Sequence, residues 1–342
     1  MSLNLSIMGH RGNKQFCDLD LNDPAFIREN SMESFNYTLV VSDSSEFIET
    51  DLRLTKDKRI VIIHDNVLLR CYGIDHKTTV DQMNLSELVS YGVPSFEQFV
   101  KWYLNDLKKE SKVVLDIKSV VPLELMTYLE KEILNFATDI KDLELIQKNF
   151  ILGLWTAQQV EFISQSTQFL QKLSKINITL SPTTFTKSIY KNNSNFIGCS
   201  VHYLTLWQNS NFKILFDFLS KHKDVFNEDN PFLLTIWTLN EKDNILQTLE
   251  CIKKNIMNNS SIDGFKVIKI ALCTDNPELM NKMFIVDDIF NKKQFEIKKT
   301  SFEIYKNIVF FNIISYALYS KWFTYNICGY SLLGLVRKIT GM

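Results

Sequence analysis

The sequence predicts an α/β chain folded as a TIM (β/α)8 barrel and followed by an apolar C-terminal tail. Three observations carry that prediction. Eight short apolar runs recur at residues 5–8, 46–52, 113–117, 150–155, 176–180, 196–201, 232–238 and 269–274, separated by longer stretches with helical patterning. Several runs are apolar almost throughout, as expected of parallel strands buried on both faces. The first, second, third and seventh end in polar motifs, which a closed barrel gathers at one mouth. Spacing alone would also suit a doubly wound open sheet; the motif distribution favours the barrel.

The elements follow in order. The first run ends in Met8-Gly9-His10-Arg11-Gly12. A helix is expected over 31–41, with Ser31 as N-cap and acidic Glu33 in the first turn. The second run carries Glu49-Thr50-Asp51, and 60–63, close behind it, reads as a hairpin extension leading into His64-Asp65. The third ends in Asp116-Ile117-Lys118, with helical patterning over 122–135. The fourth is followed by a helix expected over 156–174, and the sixth leads into His202. The seventh contains Trp237, with a helix over 241–255, and the eighth leads into Thr274-Asp275-Asn276-Pro277.

The last forty residues differ. Residues 308–319 and 322–336 form apolar, aromatic-rich runs split by Ser320-Lys321. A simple membrane span needs about 20 apolar residues, and fusing the runs would bury Lys321 at a cost of roughly 2.5–3.5 kcal/mol. Basic residues flank both sides: Lys298, Lys299 and Lys306 before, Arg337 and Lys338 after. The expectation is a hairpin or interfacial anchor with both flanks on the cytosolic face. An amphipathic helix closing the bottom of the barrel is the alternative. The expected organisation is a barrel over 1–290, a basic linker over 291–307 and a membrane anchor over 308–342.

A 342-residue chain with 45% hydrophobic residues can bury one large core. A net charge of −1 argues against nucleic acid as a partner, since phosphate-backbone binding needs a basic footprint. The N-terminus lacks the features of a secretory signal, and six cysteines without paired or zinc-like spacing read as reduced, mostly buried thiols.

Glu49 and Asp51, two apart on a strand, point the same way. With Asp116 they form three oxygen ligands suited to Mg²⁺ or Ca²⁺. His10 and His64 are the candidate acid–base pair, because imidazole titrates near working pH; which is acid and which base stays open. Arg11 and Lys118 supply positive charge for a phosphodiester, or balance the carboxylates, or both. His202 and Trp237 are weaker candidates for the substrate pocket, with packing as their competing role. Asp65 is placed to orient its neighbourhood or His64. His76 and His222 carry no comparable signal.

These motifs, together with Glu29-Asn30-Ser31, Thr55-Lys56-Asp57 and Trp237-Thr238-Leu239-Asn240, resemble the glycerophosphodiester phosphodiesterase family across about residues 5–285. Asp116 in place of the more frequent glutamate, Gly153-Leu154-Trp155, Ser200-Val201-His202 and the tail resemble its fungal phosphatidylglycerol phospholipase C branch. The resemblance implies metal-dependent cleavage of phosphatidylglycerol into diacylglycerol and glycerol phosphate. It also implies that Glu29 and Asn30 order the first loop and Arg11. Ser45 and Lys58 replace glycines frequent in the family, which puts turn geometry in question, and the segment between Arg11 and Glu29 is longer than usual. The alternatives are hydrolysis of soluble glycerophosphodiesters, lysophospholipase D cleavage, or a non-catalytic lipid-binding scaffold. The expected partners are phosphatidylglycerol and a membrane or lipid-droplet surface, with the catalytic domain facing the cytosol at the endoplasmic reticulum, mitochondrial outer membrane or a droplet. Oligomeric state is left open.

Overall fold

A computed structural model of the chain describes residues 4–14, 23, 26–75, 77–107, 111–190, 195–257, 264–285, 301–319, 326–327 and 330–331. Strands β1 (Asn4–Gly9), β2 (Phe47–Leu54), β3 (Ile60–Ile62), β4 (Lys112–Ile117), β5 (Phe150–Leu154), β6 (Ser174–Thr179), β7 (Phe196–His202), β8 (Phe232–Trp237) and β9 (Ile268–Thr274) make one sheet. All pair in parallel except β3, which returns antiparallel along β2 with Leu52 opposite Ile62. The sheet closes because β1 pairs with β9 on one edge and β2 on the other, Met8 opposite Phe47 and Gly9 opposite Ile48. Closure excludes the open sheet.

Alternation along each strand divides the core in two. Met8, Phe47, Val114, Ile151, Ile176, Leu233, Ala271 and Cys273 fill the barrel, whereas Ile48, Leu115, Leu152 and Leu234 face the surrounding helices. A third cluster, including Val61, Ile63, Leu68 and Leu88, lies under the β2–β3 hairpin. Cys71, Cys199, Cys251 and Cys273 are buried thiols.

The helix expected over 156–174 is two helices, Ala157–Ser164 and Gln168–Lys172, and Ser174 opens β6. The break falls at Gln165-Ser166-Thr167. There the Ser166 hydroxyl donates to the Ile163 carbonyl (2.6 Å) and the Thr167 hydroxyl bonds Glu130, offering local polar partners in place of continued helix. Ser31 caps Met32–Asn36 as expected, accepting from the Ser34 amide (3.0 Å). Lys58 holds φ 61°, the left-handed conformation that a glycine adopts without cost.

In the tail, a helix Ser301–Tyr319 begins inside the segment read as linker. It packs at the end of β7, not across the bottom of the barrel: Phe311 stacks on His202, and Gln208 donates to Asn312 (3.2 Å). Among the described residues, no helix is long and apolar enough to cross a membrane. Asn326–Ile327 (β10) pairs antiparallel with Tyr330–Ser331 (β11). The remainder of 320–342, where the second half of the anchor was expected, lies outside the described residues, as does His76.

Candidate active site

The site begins with a tight loop after β1. A Cβ at Gly9 would lie 2.3 Å from the Gly12 carbonyl oxygen, and one at Gly12, whose φ is 79°, would lie 2.5 Å from Ser34 Oγ. The two glycines let the chain turn so that His10 and Arg11 face the mouth. Arg11 and Asn30 both adopt φ 54°, unusual for residues with side chains, and are joined by Asn30 N–H to Arg11 O (2.9 Å). Positive φ at two adjoining site residues marks a loop held by its surroundings.

Strand register then assembles the carboxylates. Asp51 sits opposite Asp116 across the β2–β4 pair, with Glu49 two residues back. Oxygens of Glu49, Asp51 and Asp116 lie within 4.8 Å of one another, and all three residues are buried. Burial, followed by the charges of Asp51 and Asp116, pushes the Glu49 carboxyl well above the usual range. Burial would also raise Asp51, but Lys118, His64, Arg11 and the Asn30 amide outweigh it and hold Asp51 well below. Three carboxylates in so small a space can all ionise only with added positive charge beside them. Asp51 Oδ1 is shut off from solvent and receives no hydrogen bond, although the Lys118 ammonium lies 3.0 Å away, which leaves lone pairs for a metal. The all-oxygen donor set fits a hard divalent ion.

Arg11 and Lys118 are engaged with these carboxylates. Arg11 Nε lies 3.3 Å from Asp51 Oδ2, Arg11 N–H donates to Glu49 (2.9 Å), and Lys118 also pairs with Asp116. Charge balance is thus the role their geometry shows. Glu29 and Asn30 both bond to this constellation: Glu29 accepts from Arg11 Nη1 (2.8 Å), and Asn30 donates to Asp51 Oδ2 (2.9 Å).

Each candidate histidine is tied to a carboxylate. His10 Nδ1–H donates to Asp275 (2.5 Å) and His64 Nδ1–H to Asp65 (2.7 Å), which leaves Nε2 of each ring as the atom that can take or give a proton. His10 Nε2 lies 4.0 Å from Glu49. Burial, then Arg11, lowers the His10 pKa despite Asp275. The hairpin brings His64 back to the site: Ile63 N–H bonds the Asp51 carbonyl (3.1 Å), and Arg53 donates twice to the His64 carbonyl (2.8 and 2.6 Å).

Several partners complete the site without a role assigned to them above, although Trp155 and Asn240 stand in motifs already named. Arg70 bridges the two halves of the site, donating to both oxygens of Glu29 (2.6 and 2.8 Å) and to Asp65 (2.6 Å). Trp155 Nε1–H donates to Asp116 (2.6 Å), and Lys118 Nζ lies 5.4 Å from the Trp155 ring centroid. Asn240 donates to Asp275 (2.6 Å). Trp155 was available as a tryptophan closing a strand; Arg70, on a short helix beyond the hairpin, offered nothing to read.

Trp237 and His202 line an aromatic wall next to Trp155. Trp155 and Trp237 have centroids 6.2 Å apart, and His202 meets Trp237 edge-on at 5.0 Å. Burial takes the His202 pKa down to about 3, so the ring is neutral at working pH and carries no proton in acid–base chemistry. His222 packs against Phe218 and Tyr190, away from the constellation.

A family model described as the glycerophosphoryl diester phosphodiesterase family matches residues 10–279, a span that holds every candidate described above. The chain belongs to that family. It is accordingly a phosphoric diester hydrolase. Among solved structures, the glycerophosphodiester phosphodiesterase of Thermotoga maritima is 18% identical, with 83% of this chain and 99% of that one covered and a TM-score of 0.52. One from Parabacteroides distasonis is also 18% identical, with 84% and 100% covered and a TM-score of 0.55. At that identity the likeness speaks for the shared barrel. The tail helix Ser301–Tyr319 lies beyond the family match.

Proposed function

We propose that this phosphodiesterase is a phospholipase C that hydrolyses phosphatidylglycerol to diacylglycerol and glycerol phosphate at a membrane or lipid-droplet surface, with its barrel in the cytosol. The observation that carries the chemistry is the paired arrangement of imidazoles, His10 on Asp275 and His64 on Asp65, around a buried carboxylate trio flanked by Arg11 and Lys118. The lipid part rests on the branch-specific residues Asp116, Trp155 and His202 and on the apolar tail. A water-soluble diester would give no reason to tether the enzyme to lipid.

Glu49, Asp51 and Asp116 would hold a divalent ion, Mg²⁺ or Ca²⁺, which when bound supplies Lewis-acid polarisation of a phosphoryl oxygen. Arg11 and Lys118 orient the phosphodiester and offset its charge. Nε2 of one histidine takes the proton of the attacking hydroxyl and Nε2 of the other delivers one to the leaving alkoxide; each carboxylate fixes the tautomer this requires. The attacking group is the free headgroup hydroxyl next to the phosphoester. Held in place, it has a large effective concentration, and its attack expels diacylglycerol and leaves a cyclic glycerol phosphate for water to open.

Mass-spectrometric product analysis tests this. Wild type and His10→Ala are incubated with mixed micelles of phosphatidylglycerol, phosphatidylcholine and lysophospholipids, with Mg²⁺ or Ca²⁺ and with chelator. Metal-dependent diacylglycerol from phosphatidylglycerol alone, absent with the variant, is the expected result. Phosphatidic or lysophosphatidic acid would move the cut to the other ester, and cleavage of soluble glycerophosphodiesters only would refute the lipid reading. Rapid-quench samples in ¹⁸O water should contain the cyclic intermediate; direct one-step incorporation of solvent oxygen without it would exclude the internal attack.

A further inference from the structure

The tail helix touches the site. Phe311, itself buried, stacks on His202 with centroids 4.7 Å apart and an interplanar angle of 19°. Tyr203 stacks with the same imidazole at 4.6 Å, and Trp237 meets it edge-on. The ring is therefore clamped between aromatic groups from the short helix that follows β7, from β8 and from a segment outside the family match. Its remaining freedom is removed by a hydrogen bond: His202 Nδ1 accepts from the Leu204 N–H (3.3 Å). An imidazole whose Nδ1 accepts must, when neutral, carry its proton on Nε2. That Nε2–H has no acceptor among the described residues. Trp237 Nε1–H, in the adjoining ring, is buried and likewise has no acceptor.

Two N–H donors without protein acceptors thus stand in a wall that is otherwise aromatic. Of the two, the Trp237 Nε1–H is shut off from solvent, where donors are nearly always satisfied by protein, water or ligand; the half-buried His202 leaves its Nε2–H within reach of a ligand. The wall joins the carboxylate trio through Trp155, which bonds Asp116 and lies beside Trp237. A ligand group that suits it is mostly hydrocarbon, bears carbonyl acceptors and is attached close to the phosphorus. Acyl esters on a glycerol backbone meet all three conditions.

We propose that His202 is a specificity-determining hydrogen-bond donor to the acyl-ester end of the substrate, and that Phe311 of the tail helix is the positioning residue that holds it there. The tail is then part of the active site, beyond any part it has in anchoring. The inference rests on the lipid reading of the function, and the test separates the two.

The full-length protein is assayed with dihexanoyl phosphatidylglycerol kept below its micelle concentration and, in parallel, with glycerophosphoglycerol, which has the same phosphodiester and no acyl chains. Monomeric lipid removes surface docking from the measurement. For His202→Phe, which keeps the stack and deletes the donor, the ratio of kcat/KM for the acylated over the deacylated diester should fall about tenfold, mainly through KM. Phe311→Ala should lower the same ratio in the same direction, and Phe311→Tyr, which keeps the stacking plane, should restore it. An unmoved ratio in His202→Phe or Phe311→Ala overturns the proposal, and that includes a parallel loss on both substrates, the signature of a merely structural role. If wild type cleaves only glycerophosphoglycerol, the phospholipase C reading fails. The inhibition constant of the dihexanoyl lipid then replaces KM: a rise in the variants supports the clamp, and no inhibition of wild type overturns it.

Discussion

Glu29→Gln isolates the charge that ties the two histidine-bearing halves of the site together. Glu29 is almost fully buried and takes hydrogen bonds from both Arg70 and Arg11. Burial alone would raise its pKa; Arg70, then Arg11 and Lys14, bring it from 4.5 down to about 2. A depression of that size is worth about 3 kcal/mol at 1.36 kcal/mol per unit, trimmed to about 2–3 because the Arg70 side chain is partly open to water. The folded-state pKa lies below the unfolded one, so the carboxylate stabilises the fold above pH 4.5 and the benefit is lost as pH falls towards 2. Urea unfolding should therefore show Glu29→Gln less stable than wild type by about 2–3 kcal/mol at pH 7 and by only about 1 at pH 3. A difference equal at the two pH values would refute the reasoning. It would mean that Glu29 acts by shape and neutral hydrogen bonding, not by charge.

Three further outcomes are expected. Asp275→Asn should lower kcat by about 10²–10³-fold with little change in KM, since the amide no longer enforces the Nδ1–H tautomer of His10; loss of a charge that raises the His10 pKa should also move the limb of the kcat/KM profile that His10 sets to lower pH. Isothermal titration with Mg²⁺ and Ca²⁺ should show one binding event that Glu49→Gln or Asp116→Asn weakens by at least about tenfold, and unaltered binding in both would disqualify the trio as the metal site. Gly12→Ala, forced into a left-handed conformation and against Ser34, should lower stability in a thermal melt by about 1–3 kcal/mol.

Much of this was legible because parallel strands and barrel mouths leave local marks. Buried apolar runs located all eight barrel strands, and the two-residue spacing of Glu49 and Asp51 already placed both on one side of β2. The hairpin was visible in 60–63 because β-branched residues follow the second strand after a polar turn. What stayed hidden depends on tertiary distance. Arg70 joins Glu29, 41 residues away, and Asp275 joins His10, 265 residues away, so neither pairing has a local signal. The break at Ser166 was missed because the apolar period continues on both sides of it, while the decisive hydrogen bonds come from one hydroxyl and a distant glutamate. The tail helix was read from its composition as a membrane element; its contact with His202 depends on where β7 ends, which composition does not encode.

The short antiparallel return of β3 along β2 bears on how this enzyme can change over generations. His64 reaches the site only because Leu54 pairs with Ile60, Arg53 with Val61 and Leu52 with Ile62, which sets Ile63 against the Asp51 carbonyl. One residue gained or lost within β3 would reverse the facing of everything after it and carry the imidazole to the wrong side. The same change in the polar turn between the strands, if looped out, would leave that register untouched. Drift in length should therefore gather at the tip and spare 60–64, so that the hairpin behaves as a ruler whose marks are inherited even while its end wears away.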